Sequence, residues 1–322
     1  PDLYDEVCLQ GNLGASDQAL PASLVNTGCL LAVPRSASPK VDDGGQYGLA
    51  LRWFAENLNS TEFGFYYLRY HSRLPVLSGY ALQEVPPPFT SASYFTEYPE
   101  DLDLYGISFN TTVGTWSLGG EVTYRPNVPL QIDDAEILFA ALTPLNPLIP
   151  APVNRYKSQL GEFGPGEFIQ GYHEHKSYQA QATLTKLFGP GNFLRANQIA
   201  FVTEAGINHV TDLHPQSELR YNGAGTDSGG GADVFSGDFN NPVTEITGWP
   251  DDTSWGYRML LRADYNNAIG AWTLSPRIAW AHDVDGTTPG PGGSFIDGRK
   301  TVTVGLGFNL LNEWLIDLAY TD

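Results

Sequence analysis

Apolar and polar residues alternate along most of this chain, and the alternation is the first thing that predicts structure. In WSLGGEVTYR, Trp116, Leu118, Val122 and Tyr124 share one parity, while Ser117, Gly119, Glu121, Thr123 and Arg125 hold the other. SWGYRMLLRADYN repeats the pattern, with Tyr257, Met259, Leu261 and Tyr265 against Gly256, Arg258, Arg262 and Asp264. So does AWTLSPRIAWAHD, where Trp272, Leu274, Ile278 and Trp280 oppose Thr273, Ser275, Arg277 and Asp283. Val302, Val304, Leu306 and Phe308 keep the phase, as do Trp314, Ile316, Leu318 and Tyr320 opposite Asp317 and Thr321. A period of two is the mark of an extended strand with two unlike faces. Ten strands are predicted on this basis, at 46–54, 62–71, 104–111, 115–125, 172–187, 195–207, 255–265, 271–281, 300–309 and 313–321.

The connections alternate in length. AENLNST, NTTVG, LFGPGN, NNAIG and NLLNE are short, whereas the segments 74–103, 126–171, 208–254 and 282–299 are long, polar and rich in Gly, Pro, Asp or Ser. Short turns at one end and long loops at the other are the pattern of an antiparallel transmembrane β-barrel, with turns facing the periplasm and loops facing outside. Strands of about 9 to 11 residues suit a tilted membrane crossing. The apolar parity would then face lipid and the polar parity a hydrated lumen. A half-exposed sheet of a soluble protein shows the same alternation, but compact domains seldom carry loops this long. The expected fold is therefore all-β, a single barrel domain over 1–322.

One helical period interrupts this pattern. In DDAEILFAALTP, Asp133 or Asp134 can cap a helix, Ile137, Leu138 and Ala141 form its apolar stripe, and Pro144 stops it. This places a short helix inside the long loop 126–171.

Composition supports the all-β reading: the 322 residues include 35 Gly, 17 Tyr, 16 Phe and 7 Trp but one Met. A formal charge of -19, from 36 acids against 17 bases, argues against a nucleic-acid partner. No apolar run approaches the roughly 18 residues of a membrane-spanning helix. Cys8 and Cys29 fall in the segment 1–44, read as an extracellular loop; a bridge between them would limit that loop's unfolded freedom and fits an oxidising compartment. Two unpaired thiols are the alternative.

The charges on strands define the candidate site. Arg52, Arg69, Arg125, Arg258, Arg262 and Arg277, with Glu121, Glu204, Asp264 and Asp317, are assigned to the polar phase and hence to the pore lining. They either orient a polar head group in transit or pair with one another to tie the interior together. In EFGFYYLRYHSR aromatics occupy both faces, with Phe63, Phe65 and Tyr67 in phase with Arg69, and these three are the expected contacts for an apolar cargo. Asp227, Asp233 and Asp238 stand among glycines where a divalent cation bridging lipopolysaccharide could bind; a solvated loop is the simpler reading. His173, His175 and Ser177 share one parity of one strand, which points them the same way and does not build a catalytic triad. Neither catalysis, a metal nor a cofactor is expected.

Longer runs carry a resemblance. NSTEFGFYYLRYHSRLPVLSGY, LYGISFNTTVGTWSLGGEVTYRPNVPLQI, RYNGAGTDSGGGADV and the run from DYNNAIGAWTL through TTPGPGGSFIDGRKTVTVGLGF together resemble the proteobacterial domain of unknown function 1302 family, over most of the chain. The resemblance implies an outer-membrane barrel associated with use of hydrophobic carbon sources, and a periplasmic lipoprotein-like partner. It supplies no catalytic or ligand residues. Members of that family are longer, so ten strands are expected to be a minimum. The function expected is an outer-membrane channel for a hydrophobic or amphipathic small molecule, or alternatively a barrel that docks a periplasmic or surface partner without transport.

Overall fold

A computed structural model describes residues 33–83, 92–148, 156–223 and 248–322 of the chain. Ten of its strands form one antiparallel sheet: β1 (Tyr47–Ala55), β2 (Thr61–Tyr70), β5 (Leu102–Val113), β6 (Trp116–Gln131), β8 (Tyr172–Phe188), β9 (Gln198–Val210), β10 (Thr253–Ile269), β11 (Trp272–Asp285), β12 (Lys300–Leu310) and β13 (Trp314–Thr321). They pair in chain order from β1 to β13, as the ten predicted strands require. No ladder joins β1 to β13 among the described residues, so the sheet has two edges.

Hairpin chemistry explains why one end is tight. Gly114 and Gly270 enter the turns before β6 and β11 with φ of +61° and +60°, and Leu311 and Asn312 take left-handed φ before β13. Backbone twist of that hand matches the twist of the flanking strands. At the other end the strands run on into long segments, and β6 carries a bulge between Arg125 and Val128 that accommodates Pro126.

The long segments have structure of their own. β3 (Val76–Tyr80), β4 (Ser93–Glu97) and β7 (Phe168–Ile169) form a second sheet in the order β4-β3-β7. Beside it lies α1 (Asp134–Leu142), where Asp133 accepts from the amide of Ala135 at 2.9 Å as the N-cap. Ile137 and Ala141 are buried as expected, but Leu138 is exposed. Pro144 does not stop the chain's winding: a 3-10 stretch continues over Thr143–Leu148. Proline at that point lacks the amide that an α-helix would need, and the tighter turn follows.

The core sits in this cap. Leu82, Ala92, Ile137, Phe139, Leu142, Leu145, Tyr156 and Ile169 form one buried cluster, and Leu130, Ile132, Val210, Leu219 and Tyr221 form another. Gln131, at the end of β6, joins cap to sheet. Its side chain accepts from the amide of Leu77 at 2.5 Å and donates to the carbonyls of Leu77 and Gly171 at 3.1 and 2.8 Å. The amide–carbonyl exchange gives partners to backbone groups of β3 and adds a second to the Gly171 carbonyl, which also accepts from the Ile132 amide.

Candidate functional site

Directly paired residues of neighbouring strands share a face, so the registers sort every side chain of the large sheet. One face carries Leu49, Leu51 and Trp53, then Phe63, Phe65 and Tyr67, then Tyr105, Ile107 and Phe109, and continues through Val122, Ile207, Met259, Ile278, Val304 and Leu318. It is apolar and open: Leu49 is 70% exposed, Ile107 56%, Val304 56% and Leu318 61%. In water, exposed apolar patches of this continuity mark an interaction surface.

Tyrosines line this face toward its long-loop end. Tyr47, Tyr67, Tyr105, Tyr124 and Tyr178 stand on five adjacent strands with ring centroids 6.0, 5.1, 6.2 and 4.8 Å apart in turn. Trp53 stacks on Phe63 toward the short-turn end, and Trp116 meets Phe188 and Phe201 edge-on there. On β6 eight residues separate Tyr124 from Trp116, a strand length of roughly 26 Å. Lys186, on the same face, lays its ammonium 5.4 Å from the Trp116 ring.

The opposite face is polar. Arg52, Glu121, Arg125, Glu204, Arg258, Arg262, Asp264, Arg277 and Asp317 all lie on it. Arg69 does not: it pairs with Tyr47 and Asp103 on the apolar face, at the tyrosine end, and bonds Asp101 at 3.2 Å. The same register puts Phe63, Phe65 and Tyr67 on the apolar face with Arg69, so these three aromatics stand on the far side of the sheet from the other nine charged residues.

Several charges on the polar face pair with one another, and others bond neutral side chains. Arg277 grips Asp317 with two bonds of 2.5 and 2.7 Å, and Arg262 bonds Asp264 at 2.9 Å, with Ser275 shared between them. Arg52 lies 3.9 Å from Glu62, Arg125 donates to Gln179, and Glu204 accepts from Thr183 at 2.9 Å. Arg258 stands 3.9 Å from Asp283, which Arg299 holds more tightly at 2.6 Å. Beside Arg258 a shallow cavity of about 280 Å³ is lined by Val202, Glu204, Leu260, Ala279, Ala281 and Thr303. The segment 286–299 lies over this face. Phe295 is buried there against Gly206 and Gly256, where a Cβ on Gly256 would come 3.0 Å from its ring.

At the long-loop end two clusters emerge that sequence reasoning did not assemble. Arg220 bonds Glu136 and lies 4.0 Å from Asp133, both carboxylates being 1% exposed. Burial pushes the Asp133 carboxyl up to about 7, the amide of Ala135 and the Arg220 guanidinium opposing it. The second cluster gathers His173 and His175 of β8 around Tyr221, with His214 stacked on the tyrosine ring. Burial raises the Tyr221 hydroxyl to about 12. Ser177 donates to Asn208 at 3.0 Å and bonds neither histidine, so no nucleophile–base pair forms there. Among the described residues no group of three or more His, Cys, Asp or Glu is placed to hold a metal ion. Cys8, Cys29, Asp227, Asp233 and Asp238 lie outside the described residues.

The sequence model of a family described as protein of unknown function, DUF1302, matches residues 9–322. The chain belongs to the DUF1302 family. No curated protein matches the chain, and no solved structure does. Membership of DUF1302 thus fixes kinship over nearly the whole chain and assigns it no chemistry.

Proposed function

We propose that this DUF1302 protein is an outer-membrane β-barrel that admits a hydrophobic or amphipathic small molecule past its capped mouth. One observation carries the reading: an exposed apolar sheet face, edged by tyrosines on five adjacent strands, backs onto a face that carries charged residues, several of them ion-paired. Lipid satisfies the first face and a hydrated interior the second. The tyrosine row suits an interfacial girdle, where Arg69 can reach head groups, including those of lipopolysaccharide, while Lys186, beside Trp116 at the short-turn end, can reach those of the other leaflet. In such a setting the free edges of β1 and β13 need strand partners, because unpaired backbone groups are costly in hydrocarbon.

The cargo is proposed as amphipathic because the polar face mixes paired ions with small apolar patches such as Val202, Leu260, Ala279 and Ala281. Uptake by cells with and without the gene, across fatty acids, sterols and sugars, tests the proposal. Faster uptake of the apolar compounds alone is expected, and equal rates for every compound would defeat the transport claim. A second reading is a barrel that docks a periplasmic lipoprotein-like or surface partner without conducting. Gln131, which ties the cap to the end of β6, and Phe295, which packs a loop onto the polar face, favour it.

A further inference from the structure

The histidine cluster at the long-loop end has a complete and directional hydrogen-bond pattern. His175 Nδ1 lies 3.2 Å from the carbonyl of Thr211, which can only accept, so that nitrogen carries the proton. His175 Nε2 is then an acceptor, and the Tyr221 hydroxyl, 3.0 Å away, donates to it. The same hydroxyl oxygen accepts from His173 Nδ1 at 3.2 Å. His214 lies parallel to the Tyr221 ring at 6.4 Å and meets the other two imidazoles edge-on at 6.2 and 6.4 Å. All these bonds are made when the imidazoles are neutral.

What the cluster holds is the junction of three long segments. Tyr221 bridges Ile132, and Asp133 donates its amide to the Arg220 carbonyl at 3.0 Å. Asn222 donates its amide to Gln131 at 2.9 Å and accepts from Gly290 at 2.7 Å. Removing Tyr221 from β8 therefore loosens the segment after β9 from those after β6 and β11.

We infer that His173, His175, His214 and Tyr221 form a proton-operated latch, which closes the cap near neutral pH and opens it on acidification. The sign follows from linkage. A second proton on His175 must go to Nε2, which reverses the Tyr221 bond. It also places a cation in a site where His175 is 7% exposed and two further imidazoles stand close by. With the segment open, the same imidazoles are hydrated and apart and bind protons more readily. Falling pH thus favours the open form, between about pH 7 and pH 5 where histidine titrates.

Other charges around the cluster do not cancel this. On β8, Glu174 and Lys176 flank a cavity of about 580 Å³ lined also by His173, His175 and His214. On the facing segment, Asp212 lines the same cavity, and Glu218 lies 3.7 Å from His214 Nδ1. Burial and the neighbouring His214 ring lower the His175 value despite the Thr211 bond and Asp212, which oppose them. Arg220 is engaged by Glu136 and lies 5.7 Å from the Trp249 ring. Arg125, just below on β6, bonds Gln179. At the end of β9, His209 bonds Thr253.

The latch stands whether or not the protein conducts, and its test reads the segment itself. Hydrogen exchange of the reconstituted protein, corrected for intrinsic rates, gives protection for amides of 210–223, where Val210, Thr211 and Asn222 are bonded. Protection should fall at least about tenfold from pH 7.5 to pH 5.0. The His173→Gln, His175→Gln double variant, which can bond Tyr221 but cannot titrate, should stay protected at both values. Tyr221→Phe should already exchange fast at pH 7.5. Nitrogen NMR of labelled histidine in the wild type supplies a readout that needs no variant: the proton should sit on Nδ1 of His175 at neutral pH, and both imidazoles should charge over the range in which protection is lost. Unchanged wild-type protection, an equal fall in the double variant, or charging of both rings without loss of protection would each overturn the latch.

Discussion

Among the described residues Arg220 is the one cation ion-paired to two nearly inaccessible carboxylates, so Arg220→Met measures what the cap's ion cluster contributes. In the variant Asp133 keeps its bond from Ala135 and Glu136 keeps one from the Gln159 amide at 2.6 Å. Asp133, already near 7, loses little by becoming neutral. A glutamate can escape uncompensated burial by taking a proton at pH 7, which, from the usual value for a glutamate in water, costs at most about 3.7 kcal/mol. Breaking buried pairs costs about 3–5 kcal/mol in other proteins, so the two routes agree. The opening free energy of α1, from exchange of its amides at pH 7.5, should drop by about 3 kcal/mol, or more than a hundredfold in rate. At pH 5 the defect should shrink toward about 1 kcal/mol, because the proton is then cheap. Pairing Arg220→Met with Glu136→Gln should restore most of the loss. Unaltered α1 protection at pH 7.5, or a defect that stays the same size at pH 5, would refute the reasoning.

Further outcomes follow from the same geometry. A Cβ on Gly171 would lie 1.7 Å from the Leu77 carbonyl oxygen, so Gly171→Ala should part β3 from the start of β8 and cost about 1–3 kcal/mol or more of cap stability, read by exchange of 76–80. Asp133 has a raised folded value, so its charge opposes folding above about pH 7 and ceases to do so as pH falls toward the ordinary carboxylate range; Asp133→Asn should therefore stabilise the cap at pH 8 and have little effect at pH 4, measured by denaturant titration. Ile278→Lys on the apolar face should cost about 2–4 kcal/mol in lipid, while Ala279→Lys one residue along should be nearly neutral, measured by reversible unfolding in bilayers.

Much of the large sheet was legible because its signal is local. Trp116 to Tyr124 or Val302 to Phe308 announces a strand within ten residues, and a period of two survives any uncertainty about its ends. β3, β4 and β7 were not legible, being two to five residues long and set among Gly, Pro and Ser, where alternation has no room to repeat. The face of Arg69 was readable and was misassigned: its parity is that of Phe63, Phe65 and Tyr67, while its charge suggested the other face. Near the tyrosine row a charge can stay on the apolar side by pairing with Asp101 and Asp103. The cap clusters are a different case. Glu136 and Arg220 are 84 residues apart and His173 and Tyr221 are 48 apart, so no window of sequence contains either pair.

In the proposed membrane setting the apolar parity of the sheet meets acyl chains and the charged parity does not. Spin labels placed singly at 274–281 along β11, in bilayers, measure this through collision with oxygen, which concentrates in lipid, and with a water-soluble nickel chelate. Labels at Leu274, Ile278 and Trp280 should favour oxygen, and those at Ser275, Arg277 and Ala279 the chelate, with a period of two. Equal accessibility at all positions, or a protein that stays monodisperse in plain buffer with Trp280 shielded from both reagents, would contradict the account.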